Sequence, residues 1–280
     1  MYGRTFRTYE IARVLNDIAD SKTHGTEWVI FADDNITLDV ARFERLCDAI
    51  VAAGHNDVTY IVQASCAGIA SSERLVRKMS RANVRVVFLG IENVSKRNLQ
   101  HLGKGNILEK TRTAIEYLHR HGILIVAGMM VGHPEDTEED IIRNFDFLIE
   151  QQVEFYGDQA AQPYPTTEMR AQLLQAGLVT NPDDYRRYDG FWANVRTKHL
   201  TSDQLQFLKW RHHRRAAFNH CITPTLRSAY PLFAAALRWL HRPYRRLAFR
   251  LRHWNRTERE IFEVEMQAAR KLNDFFGKGQ

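Results

Sequence analysis

Ile123-Leu124-Ile125-Val126-Ala127-Gly128-Met129-Met130-Val131-Gly132-His133-Pro134-Glu135 opens on an unbroken apolar, β-branched run, passes through a glycine-containing turn and ends on polar residues. A strand is expected over Ile123–Ala127, because four to eight such residues bounded by turn signals suit a buried strand. Glycines at 128 and 132 let another group come close to the backbone of the turn. Before this stretch the apolar spacing predicts a helix over Ile107–His121 closed by Gly122, and after it a helix over Thr137–Gln151. A strand set between two helices is the repeating unit of a parallel sheet.

The unit recurs in both directions. Upstream, the pattern predicts a helix over Phe6–Asp20 with Ile11, Val14, Leu15 and Ile18 on one face, a strand over Glu27–Phe31 and a helix over Asp39–Ala53. A strand over Val58–Val62, a helix over Ser72–Arg81 opened by Ser71 or Ser72, and a strand over Val84–Leu89 follow. Downstream, Val153–Tyr156 supplies a fifth strand. Past Pro163 the alternation stops. A short helix over Glu168–Ala176 ends at Gly177, and an aromatic, polar stretch runs through Tyr185, Tyr188, Phe191 and Trp192. A boundary is expected near Leu200, dividing an α/β domain over residues 1–200 from an all-helical extension over 201–280. That extension is interrupted by Pro224, Pro231 and Pro243, and its last helix is expected over Glu258–Phe276.

Composition narrows the class. With 280 residues and 44% hydrophobic content the chain buries a real core, so a disordered or collagen-like chain is excluded. Cys47, Cys66 and Cys221 lie far apart, which excludes a disulfide scaffold and a structural zinc module and favours a reducing compartment. No apolar run has the form of a signal peptide or a membrane span, so a soluble or peripheral protein is expected, cytoplasmic or peripheral at the inner membrane face. The net charge of +6 is unevenly spread: Gln204–Thr257 holds twelve Lys or Arg and no Asp or Glu, leaving the rest at a net of −6.

Chemistry in parallel α/β sheets gathers at the carboxyl edge of the strands. Here the five strands run into Asp33-Asp34-Asn35, Gln63, Gly90-Ile91-Glu92-Asn93, Gly132-His133-Pro134-Glu135 and Asp158-Gln159. Singly, each is explained by a turn or a cap; Asp136 or Thr137, for example, would cap the next helix. Together they are expected to make one polar rim suited to a charged, hydroxyl-rich ligand. Met130 offers a flat, polarisable surface for an adenine. The turn lacks the dinucleotide fingerprint and has no Lys-Ser or Lys-Thr pair, so a phosphate cradle is not expected. His133 is expected to line the pocket, and Arg196 with Lys198 either neutralises an acidic substrate or forms a solvated loop.

Phe31-Ala32-Asp33-Asp34-Asn35, Gly90-Ile91-Glu92-Asn93, the Gly128–Glu135 run and Pro163-Tyr164-Pro165 together resemble the radical S-adenosylmethionine superfamily, especially members with an N-terminal cobalamin-binding domain. The similarity covers roughly residues 1–200. It implies a partial (β/α) TIM-like barrel that holds S-adenosylmethionine across its strand edges. Carried onto this sequence, Glu92 with Asn93 lies near the ribose, and Gly128, Met130, Gly132 and Glu135 flank the adenine. Asp33 and Asp34 lie toward the methionine part, and Gln63 and Gln159 complete the cofactor-binding set.

The resemblance also implies a four-iron four-sulfur cluster and, in the intact family, cobalamin. Family members hold the cluster through C-x-x-x-C-x-x-C, and that motif is absent from this sequence. Cys47 and Cys66 are expected to be small buried fillers, since one thiolate cannot hold a cubane. The first strand, the cluster loop and the cobalamin domain are expected upstream of this sequence. The chain is then a truncated product, one half of a split protein or a degenerate homologue, and alone it is expected to be inactive in radical generation on its unknown small-molecule substrate. Two other classes compete: a non-catalytic remnant that binds a small ligand or serves as a peripheral membrane or assembly subunit, and a barrel enzyme using Asp33, Asp34 and Glu92 on a divalent metal.

Residues 230–254 interleave arginine with Leu, Phe and Trp. Such a segment is composed either as a helical cap on the barrel or as an interfacial helix for an anionic membrane surface; nucleic acid is a weaker expectation because no binding motif accompanies it. The paired His212-His213 and the helix-end His119 and His121 lack the acidic or thiol neighbours of a metal site.

Overall fold

A computed structural model describes residues 7–95, 107–219, 223–229 and 231–276. Its strands are β1 (Trp28–Ile30), β2 (Thr59–Ser65), β3 (Val84–Glu92), β4 (Leu124–Val131) and β5 (Phe155–Ala160), in one sheet with the order β1-β2-β3-β4-β5. Strand β1 runs parallel to β2 with Trp28 opposite Thr59, and β2 parallel to β3 with Gln63 opposite Phe88. Parallel neighbours need a crossover, and helices supply it: α1 (Ile11–Thr23) precedes β1, α2 (Val40–Ala52) follows it, and α3 (Cys66–Ala70) with α4 (Glu73–Arg81) links β2 to β3. Helix α5 (Leu108–Arg120) precedes β4, and α6 (Glu138–Glu150) leads to β5. This is the expected α/β partial barrel with parallel strands.

Local chemistry sets the boundaries. Ser72 caps α4 by accepting the Leu75 N–H, and Thr137 with Asp140 forms a reciprocal capping box on α6. Gly122, at φ +71°, closes α5: its N–H reaches the His119 carbonyl and the Ile123 N–H reaches Leu118.

The chain falls into two compact units, residues 1–90 with 109–126 and residues 91–108 with 127–280. In the first, Phe43, Leu46 and Ile50 of α2 and Leu75, Val76 and Met79 of α4 are buried, as are Tyr60 and Val62 of β2. Each such large side chain contributes about 2 kcal/mol by leaving water. In the second, Val131, Ile141, Phe145, Leu173, Val195, Leu205 and Leu208 form one cluster. It includes α7 (Glu168–Gln175) and α8 (Ser202–Asn219), and α8 packs along α6. The remaining helices are α9 (Pro224–Ala229), α10 (Pro231–Arg252) and α11 (Glu258–Phe276). Helix α11 joins α8 through Phe262 and Met266 against Phe207 and Trp210, and Glu265 accepts from Trp210 Nε1 at 2.7 Å and Arg214 at 2.6 Å. Among the described residues no helix is long and apolar enough to cross a membrane. Cys221 and Tyr230 lie outside the described residues.

Candidate functional site

In the first unit, the segment after β1 is tied to the end of β2. The Asp33 carboxylate accepts the Asn35 N–H at 2.9 Å, making a local turn, while the Asn35 side chain accepts from Thr37 Oγ1 at 2.7 Å and from the Ser65 N–H at 3.2 Å. Ser65 in turn caps α3 through the Gly68 N–H. Gly68 is obligatory, since a Cβ there would lie 2.2 Å from Thr37 Oγ1. Asp33 and Asp34 stay exposed beside this knot. Gln63 lies inside β2, on the half-buried side it shares with Thr59, Ile61 and Ser65.

In the second unit, the end of β3 is held in an uncommon conformation. Glu92 has φ +68°, a left-handed backbone that costs a non-glycine residue about 1–2 kcal/mol. Its successors hold it there. Asn93, 1% exposed, donates from its backbone to the Ile91 carbonyl at 2.9 Å and from Nδ2 to the Met130 carbonyl at 3.3 Å. Its Oδ1 accepts the Ser95 N–H at 2.8 Å, and the Val94 N–H donates to Asn144 Oδ1 at 2.9 Å. Asn144, on α6, is fully buried and, among the described residues, has no partner for Nδ2. The Glu92 turn is thus fastened to both β4 and α6.

Strand β4 alternates strictly, with Ile125, Ala127, Met129 and Val131 buried and Leu124, Val126, Gly128 and Met130 half-buried. Gly128 and Met130 therefore share a face, and Met130 also packs against the second unit's core. Gly132 has φ +91°, and a Cβ there would meet Leu205 Cδ2 at 2.9 Å and Val195 Cγ2 at 3.3 Å. The turn that follows is organised by Asp136, which is 0% exposed: its carboxylate accepts the N–H of Gly132 at 2.7 Å and of His133 at 3.0 Å. Thr197 Oγ1 donates to the Asp136 carbonyl, and the Lys198 N–H to that of Pro134, both at 2.8 Å. Lys198 Nζ pairs with Glu135, and Arg196 Nε donates to the Gly177 carbonyl at 3.1 Å. His133 is buried at 7% exposure.

On β5, Gln159 is exposed and Asp158 buried, because successive residues of a strand point to opposite faces. Gln159 lies against Gly190, where a Cβ would come within 3.1 Å of its side chain. Asp158 instead faces α8, with Lys209 Nζ at 3.5 Å and His213 Nδ1 at 2.5 Å, so it leaves the expected rim for the helix-packed side. Three other residues differ from expectation for one cause. Gln63, Gly128 and Met130 sit within strands rather than after them, since β2, β3 and β4 run on through polar and glycine residues on their less buried face.

The structure links Asn93, next to Glu92 in the chain, directly to Met130, and Gly132 with His133 through Asp136; Gln159 lies near the end of the neighbouring strand. Asp33, Asp34 and Gln63 belong to the first unit. Asp136 and Asn144 escaped sequence reasoning as site residues.

The described cysteines, Cys47 and Cys66, do not fit an iron–sulfur cluster. Cys47 and Cys66 are each 1% exposed; burial pushes the Cys47 thiol up to about 12, and Cys66 donates to the Gly90 carbonyl at 3.2 Å. Among the described residues no three His, Cys, Asp or Glu side chains lie together to hold a metal ion.

The family model of the radical SAM superfamily matches residues 2–148, just over half of the chain. An uncharacterized methyltransferase of Pyrococcus horikoshii is 24% identical over 208 residues, covering 74% of this chain and 44% of its own length. Among solved structures, the radical S-adenosylmethionine methyltransferase TsrM of Kitasatospora setae, with cobalamin and a [4Fe-4S] cluster bound, aligns with TM-score 0.56 at 18% identity, covering 60% of this chain and 32% of that one. The apo form of OxsB, a cobalamin-dependent S-adenosylmethionine radical enzyme, aligns with TM-score 0.61 at 12% identity over 96% of this chain and 47% of that one. The chain thus spans less than half the length of each of these relatives.

Proposed function

The chain belongs to the radical SAM superfamily, and from that premise we propose that it is the S-adenosylmethionine-holding core of a radical enzyme acting on a small molecule. Glu92, with Asn93 behind it, binds the ribose hydroxyls; Gly128, Met130 and Gly132 offer a small, partly apolar wall to the adenine, with Glu135 at its edge. Gln159, on the neighbouring strand, serves the polar methionine end. The chemistry of these groups fits such a ligand: a carboxylate for a diol, an amide for the polar end, a thioether surface for a purine.

The Glu92 turn carries this proposal. The backbone that carries the Glu92 carboxylate is kept at φ +68° by buried amides, and over-determined backbone of that kind recurs at binding sites. These residues bind, orient and screen their ligand from water; cleavage to a 5′-deoxyadenosyl radical needs an electron from a cluster. That cluster does not fit Cys47 and Cys66, so no electron-transfer step is assigned to this chain. The cluster and cobalamin are proposed as cofactors of the whole enzyme to which the chain corresponds in part. Methyl transfer is the reaction class proposed, on the strength of the similar methyltransferases, and the reducing cytoplasm is the proposed location.

Isothermal titration of the 280-residue chain with S-adenosylmethionine, and separately with S-adenosylhomocysteine, tests the proposal. Saturable binding is expected, with Glu92→Ala weakening it roughly tenfold or more through loss of a charged hydrogen bond. An absence of binding, or an affinity indifferent to Glu92→Ala, would overturn it.

A further inference from the structure

Among its described side chains, helix α10 has packed positions and bare ones. Ala234 is 2% exposed, and Phe249 is half-buried with its ring centre 4.1 Å from the Arg214 guanidinium and 4.6 Å from that of His253. Leu247, Leu251 and Trp254, by contrast, are 57%, 62% and 72% exposed. The His253 N–H donates to the Phe249 carbonyl at 3.1 Å, so the helical path continues into the turn that carries Trp254. Positions 247, 250, 251 and 254 therefore fall on one face, spaced three and four apart, and Arg250 stands within the apolar stripe. Arg252 and Arg256 are exposed beside it, and among the described residues neither Arg250 nor Arg252 is paired with a carboxylate. No Asp or Glu occurs anywhere between Gln204 and Thr257.

Folding does not require this stripe, since α10 is already anchored by its other side. Two leucines and a tryptophan left in water are unfavourable, and a ligand that used only the arginines, such as a nucleic-acid backbone, would leave them there. A bilayer surface satisfies both kinds of side chain: the apolar groups enter the boundary between headgroups and acyl chains, where tryptophan is favoured, while the guanidinium groups meet lipid phosphates. We propose that Leu247–Trp254 is a docking site for an anionic lipid bilayer, with Leu247, Leu251 and Trp254 inserted and Arg250, Arg252 and Arg256 on the phosphates. This inference is independent of the nucleoside site.

Vesicle flotation tests it, using phosphatidylcholine alone and phosphatidylcholine mixed with phosphatidylglycerol. The chain is expected to float with the mixed vesicles and not with the neutral ones. Combined replacement Leu247→Ser, Leu251→Ser and Trp254→Ser should abolish flotation, and Arg250→Gln, Arg252→Gln and Arg256→Gln should weaken partitioning roughly fivefold per arginine. All six side chains are exposed, so the urea midpoint of each variant should match the parent and exclude misfolding as the cause. Lipids brominated along the acyl chain should quench fluorescence that is lost in Trp254→Phe. Failure to float with mixed vesicles, equal flotation on neutral vesicles, or flotation unaffected by the serine substitutions would overturn the proposal. So would tight duplex DNA binding by the parent and serine variants alike, without vesicle binding.

Discussion

Gly132 and Asp136 show how narrowly the turn after β4 is specified. An alanine at 132 would have to adopt φ +91° and would press on Leu205; left-handed strain and overpacking together should cost about 2–4 kcal/mol, read as a lower urea midpoint for Gly132→Ala. Asp136→Asn keeps the shape and loses the charged acceptor for two buried N–H groups, so a loss of about 1–3 kcal/mol is expected by the same titration. Asn144→Ala removes the partner of the Val94 N–H and frees the Glu92 turn. It is expected to weaken S-adenosylmethionine binding more than it lowers stability, whereas a merely structural Asn144 would lower stability alone. Residues of this kind are hard to see in a sequence. Asp136 reads as a helix cap, although Thr137 takes that role, and nothing local says that its carboxylate turns back to Gly132. Asn144 did leave a trace, as a polar residue on the buried stripe of Ile141, Phe145 and Leu148. Glu92 and Asn93 were legible because they follow an apolar run that needs no charge.

At the scale of elements, periodicity located all five strands and most helices, with α11 ending where its pattern ends. Strand lengths were underestimated. Strand β3 was expected to stop at Leu89 and continues to Glu92, and β4 was expected to stop at Ala127 and continues to Val131. Glycine and polar residues on the less buried face interrupt an apolar run without interrupting backbone pairing. Helix α8 carries a pH dependence that pattern alone does not disclose. His212 is 5% exposed, stacks on Phe145 at 5.8 Å and, among the described residues, has no hydrogen-bond partner on either ring nitrogen. Burial, reinforced by the Arg211 charge, lowers its pKa against the opposing pull of Glu138 and Glu258. The folded chain thus favours the neutral ring, while the unfolded chain takes up a proton near about pH 6.5. This contribution is whole above that pH and declines as the pH falls below it. Urea titrations at about pH 7.5 and about pH 5.5 should show a larger acid loss for the parent than for His212→Phe; equal losses would refute the assignment.

Across the whole molecule, residues 204–257 hold twelve Lys or Arg and no Asp or Glu while the rest of the chain carries a net of −6, a separation of sign that suits the proposed docking of the basic segment on an anionic surface. Cysteine placement sets a second molecule-wide expectation: anaerobic treatment with iron and sulfide should give no cluster absorbance and no 5′-deoxyadenosine from S-adenosylmethionine, and turnover would contradict it. Most direct for the central claim is photo-crosslinking with an azido-adenine analogue of S-adenosylmethionine, followed by peptide mapping. The label should fall within residues 124–135, beside Met130, and be displaced by unlabelled S-adenosylmethionine. Label confined to the helices beyond residue 202, or not displaced by the unlabelled compound, would contradict the assignment.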